Sequence, residues 1–102
     1  MRDLRSSPLH SAALRAIQAL HKFCVEHEGH YATQLADCER ALESGSGERY
    51  RESIKAVPFG GMGTFMDWLP PTVYPHETDE YVWTVFEALS ERWVRLTKHL
   101  LP

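Results

Sequence analysis

Cys24 and His27 stand three residues apart, close enough on a helix for a thiolate and an imidazole to face one metal ion, and His21 and Glu28 can share that side with Cys24. The spacing is unspecific, however: neither HExxH nor CxxC occurs, and Cys24 and His27 both fall on an apolar stripe. Buried side chains are therefore expected, and no metal or cofactor is assigned. A second candidate chemistry is acid–base. Asp67 is the only acid between Glu52 and Glu77 and sits among Phe65, Met66, Trp68 and Leu69, with His76 the one titratable partner in reach along the chain. A carboxylate in apolar surroundings must be hydrogen-bonded or paired, so Asp67 is expected to accept the N–H groups of nearby glycines or to cap a turn starting at Trp68. No catalytic residue is assigned.

The third candidate is the segment that holds Asp67. Gly60, Gly61 and Gly63 fall within four positions and are bracketed by Phe59, Met62, Phe65 and Trp68, with Thr64 between. Ordinary linkers surround glycine with polar residues, whereas large apolar neighbours demand burial. The segment lacks the Gly-Lys-Ser/Thr ending of a P-loop, and its glycine spacing is not that of a dinucleotide-binding turn. Two readings remain: an anion nest made by the N–H groups of residues 60–64, or a structural clasp whose aromatic side chains plug one end of a helix bundle. The clasp is preferred.

The run Phe59-Gly60-Gly61-Met62-Gly63-Thr64-Phe65-Met66-Asp67 resembles the signature of an uncharacterised family of small bacterial helical proteins, FGGMGS followed by an apolar residue, Asn-Asp and a further apolar residue. Thr64 stands where that pattern has Ser, and Met66 departs from its Asn. The resemblance covers about ten residues and the general layout. It implies a bacterial source and a helical fold, and no particular activity.

These side chains are positioned by helices. Ser7-Pro8 reads as an N-cap followed by proline in the first turn, and Leu9, Ala12, Ala13, Ala16, Ile17, Leu20, Phe23, Cys24 and His27 then recur on one face, with Gly29 as the stop. A second helix is expected from about His30 to Glu43, with Tyr31, Leu35, Cys38 and Leu42 inward. Ser44-Gly45-Ser46-Gly47 follows as a flexible connection. A short third helix, about Glu48 to Val57, turns Tyr50, Ile54 and Val57 inward and is ended by Pro58. Residues 58–76, with four prolines and three glycines, form a long loop. The last helix starts at Thr78, with Glu77, Asp79 and Glu80 near its positive end. Its inward stripe is Val82, Val85, Phe86, Leu89, Trp93, Leu96 and Leu100. The expected class is all-α, a single-domain bundle over 1–102 of about four helices with a Gly/Pro-rich loop before the C-terminal one.

Trp83, Val94 and Leu101 form a second apolar line, about 100° round the last helix from the first. It is either covered by the 59–75 loop or exposed as a partner surface with Trp83 as anchor. The acids Glu77, Asp79 and Glu80 could steer a basic partner toward it. A net charge of −3 argues against a strongly basic nucleic-acid binder, and no window nears the roughly 18 apolar residues of a membrane span. With only Cys24 and Cys38, both on inward positions, buried thiols in a reducing compartment are expected, and the N-terminus lacks the apolar run of a secretion signal. The reading is a small cytoplasmic bacterial protein that binds another protein, with an immunity- or antitoxin-like role against a toxin or effector as its finer form. Alternatives are a small-ligand or anion-binding domain or enzyme using residues 59–67 with His76, and a homodimer with a structural role.

Overall fold

Periodic apolar residues need a partner surface, and here four helices supply one another with it. The computed structural model describes residues 3–57, 71 and 74–101. After a 3-10 turn at Leu4–Ser6, these residues form α1 (His10–Glu26), α2 (Ala32–Ser44), α3 (Gly47–Ile54) and α4 (Asp79–Leu100). No strand occurs among them, only an isolated antiparallel bridge between Asp3 and Ser46, so the class is all-α. Helix α1 packs against both α2 and α4, and α3 packs against α2.

The core sits where the inward stripes meet. Ala13, Ile17, Leu20 and Cys24 of α1 are buried with Leu35, Cys38 and Leu42 of α2, Tyr50 of α3, and Val82, Phe86 and Trp93 of α4. Each large apolar side chain so placed contributes roughly 1.5–3 kcal/mol of transfer free energy. Polar groups cross this core in satisfied pairs. Trp93 Nε1–H donates to Tyr50 Oη at 2.7 Å, and that hydroxyl shares a second bond of 2.7 Å with Thr97 Oγ1. Thus α3 is tied to α4 through the Tyr50 hydroxyl. His10 Nε2 donates to the Leu42 carbonyl at 2.8 Å, joining the start of α1 to the end of α2.

Helix ends show where local chemistry departs from the expected boundaries. Helix α1 begins at His10, because Ser7 serves a preceding turn: its Oγ accepts from Leu9 N–H and its carbonyl from His10 N–H. Helix α2 begins at Ala32, two residues after the expected His30, and α3 ends at Ile54 in tight turns that run to Val57. The Ser44–Gly47 connection is ordered. Gly45 adopts φ 81°, Ser46 Oγ caps α3 by accepting from Arg49 N–H, and Leu4 N–H donates to the Gly45 carbonyl at 2.7 Å. The left-handed backbone at Gly45 favours glycine, and an added Cβ would have to push aside the Asp3 side chain that caps the 3-10 turn. Helix α4 starts behind Thr78, whose hydroxyl accepts from Tyr81 N–H, and its 22 residues make it roughly 33 Å long.

Candidate functional site

The end of α1 is built to hold one histidine. The chain stops there in a Schellman turn: Gly29 N–H donates to the Cys24 carbonyl at 2.7 Å and Glu28 N–H to that of Val25 at 3.3 Å. Glu28, at φ 55°, takes the left-handed position, and Gly29 follows where an added Cβ would press on Cys24 at 3.2 Å. His27, the residue before Glu28, stacks on Phe23 one turn earlier with ring centroids 4.0 Å apart.

Tyr74 and Glu77 arrive together from the other side. A turn closed by Glu77 N–H to the Tyr74 carbonyl, with Pro75 second in it, places both against His27 immediately before α4. Tyr74 stands at 86° to the imidazole at 5.4 Å, and the Glu77 carboxylate meets His27 Nε2 at 2.8 and 3.2 Å. The two side chains are only 5% and 7% exposed, so this is a buried pair that joins residues 50 positions apart.

The protonation pattern follows from the partners. His27 Nδ1 lies 2.9 Å from the Phe23 carbonyl, which can only accept, so Nδ1 carries a hydrogen. Nε2 meets the Glu77 carboxylate on the other side of the ring. Neither ring nitrogen is left to act as a base toward a bound molecule.

A cleft of about 260 Å³ opens over this pair, with Tyr81 from the first turn of α4 and Glu26 and His76 at its edges. A wider groove between α1 and α4, about 450 Å³, has Ala12, Ala88 and Leu96 against Glu91, Arg92 and Arg95. The smaller cleft is the stronger candidate, because buried polar side chains and aromatic rings converge only in it among these two.

Several expected site residues lie elsewhere than anticipated. The Trp83–Val94–Leu101 line is not continuous at the surface: Trp83 is 45% exposed, Val94 is buried in the core, and Leu101 is half-buried against it. Val94 is drawn inward with Trp93, at the level where Tyr50 meets α4. Glu77 is consumed by His27 and so does not serve as a steering acid. Asp79 and Glu80 lie at exposed positions in the first turn of α4. His21 pairs with Glu39 of α2 at 3.0 Å and not with Cys24. Among the described residues no three metal-binding side chains gather. Cys24 and Cys38 are free and buried, and burial pushes their thiols up to about 12 and about 11. His76 is exposed beside Tyr74 at 5.7 Å. Phe59, Gly60, Gly61, Met62, Gly63, Thr64, Phe65, Asp67 and Trp68 lie outside the described residues, and the clasp and anion-nest readings lie there with them.

The His27–Glu77 pair was missed by sequence reasoning, which placed His27 on the core stripe and Glu77 at the α4 dipole without joining them. An acid just ahead of an N-cap and a histidine just ahead of a helix stop were the available signals. No helix among the described residues is long and apolar enough to cross a membrane. Compared with protein-family models, curated proteins and solved structures, the chain matches none.

Proposed function

We propose that this chain works by binding another protein, through the end of the bundle formed by the last turn of α1 and the first turns of α4. The observation that carries the reading is the exposure of three large side chains within ten residues: Tyr74 at 38%, Tyr81 at 51% and Trp83 at 45%. Such residues anchor interfaces because they bury much area at little entropic cost. Asp79 and Glu80 on the same turns add negative charge that would speed encounter with a basic surface. Small size and a net charge of −3 support the finer form, an immunity- or antitoxin-like protein of a bacterial cytoplasm that covers a basic toxin.

The test is site-specific photo-crosslinking in the source cell. A crosslinker at Trp83 or Tyr81 is expected to capture one protein, and the same group at exposed Arg51 on α3 none. Capture of a second copy of this chain would point to a homodimer, and equal capture from all three positions would overturn the reading. With the partner in hand, Trp83→Ala should raise the dissociation rate about thirtyfold, the equivalent of roughly 2 kcal/mol. Glu80→Lys should slow association in a salt-dependent way.

A further inference from the structure

We propose that the cleft over the His27–Glu77 pair receives a basic side chain, lysine or arginine, presented by the partner; the inference rests on the protein-binding reading. Its floor is the stacked pair Phe23–His27, and Tyr74 stands across that floor as a wall. Tyr81 supplies a second aromatic side. Aromatic faces carry the negative part of the ring quadrupole and attract organic cations, more strongly where water is excluded.

Charge decides the sign of the guest. Of the two carboxylates that border the cleft, Glu77 is paired with His27 and Glu26 faces the opening; His76 lies at the edge, and among the described residues no lysine or arginine lines it. Both ring nitrogens of His27 are already committed, to the Phe23 carbonyl and to Glu77, so the floor of the cleft offers an anion no donor from that ring. An uncharged apolar group would desolvate Glu26 without replacing its hydration. A guanidinium or ammonium head would lie against rings and carboxylate together, and about 260 Å³ has room for one such side chain. The rigidity of the floor, fixed at both nitrogens, means the site is formed before the guest arrives.

The experiment titrates the isotope-labelled free protein with N-acetyl-argininamide and N-acetyl-lysinamide, using the neutral analogue N-acetyl-citrullinamide as control at constant ionic strength. Saturable amide shifts confined to residues 23–28 and 74–81 are expected, with the citrulline compound at least tenfold weaker. The tighter of the two cations identifies the head group. Tyr81→Leu and Glu26→Gln, both at exposed positions, should each weaken cation binding at least fivefold while leaving thermal unfolding unchanged. Equal shifts from the citrulline compound, or arginine shifts located elsewhere, would overturn the proposal. A silent cleft together with crosslinking at Trp83 would remove the cation site alone. A responsive cleft without any captured protein would remove the partner as the source of the cation.

Discussion

Tyr50 shows what a single hydroxyl does in this molecule. It is fully buried, accepts from Trp93 Nε1–H and shares a bond with Thr97, and burial pushes its phenol up to about 12. Tyr50→Phe would remove the hydroxyl that bridges Trp93 Nε1–H and Thr97 inside the core, at a cost of about 1–3 kcal/mol measurable by urea unfolding. Glu28 points the other way. At φ 55° it holds a position that favours glycine, so Glu28→Gly should raise stability by roughly 0.5–1 kcal/mol. Most apolar members of the core were legible from spacing, Tyr50 and Trp93 among them, whereas Leu4, Ala41 and Val94 were not. Thr97 and Ser90 were not, because apolar periodicity skips polar residues; both are buried, and Ser90 Oγ donates back to the Phe86 carbonyl at 2.8 Å.

At the scale of elements, α1 and α4 are joined by packing along their length and by the His27–Glu77 pair at one end. Glu77→Leu would leave an imidazole buried without its acceptor and should cost on the order of 3 kcal/mol. The double change His27→Phe with Glu77→Leu should recover much of that, since a second ring can still stack on Phe23; a double variant no better than the single would show that packing, not the lost charge, sets the cost. Gly45→Ala should destabilise by more than the ordinary glycine-to-alanine penalty, because the added carbon meets Asp3 and Arg5 as well as an unfavourable backbone angle. The start of α4 was readable to the residue, since Thr78 and the acids around it are local signals. The start of α1 was not. Asp3 caps the 3-10 turn through Arg5 N–H and pairs with the Arg5 guanidinium, whose hydrogen bonds hold its carboxyl down at about 2, and the Ser7 turn follows from that arrangement. Likewise, four small residues at 44–47 read as a loose link because the segment that docks on them lies 40 residues earlier in the chain.

For the whole molecule, the titration of buried groups sets the alkaline limit. Cys24, Cys38 and Tyr50 are held protonated in the fold to about 12, 11 and 12, against ordinary values of 9.0 for the thiols and 10.0 for the phenol. Below pH 9 both folded and unfolded chains keep these protons, so stability should not depend on them. Above it the unfolded chain releases them first, and stability should fall as pH rises, by up to about 1.4 kcal/mol per pH unit for each group. Urea midpoints measured from pH 7 to 11 would show this, and Cys24→Ala should flatten the slope even while lowering stability at neutral pH. The same burial predicts that iodoacetamide at pH 8 labels either thiol only at the rate of unfolding. The class and order of helices were visible in the sequence because each amphipathic stripe is a local pattern. The cleft was not, because it is assembled from a helix end and a turn far apart in the chain.

That distance has a kinetic consequence. A hydrogen-bonded pair spanning 50 residues should close only after α1, α2 and α3 have found one another, since bringing such remote groups together early would cost loop entropy with little return. The pair should therefore be largely absent from the folding transition state. Stopped-flow chevrons of Glu77→Leu are expected to show faster unfolding and an almost unchanged folding rate, a φ-value near zero. On that account the histidine and its carboxylate determine how long the native state lasts once formed, and hardly at all how quickly it is reached.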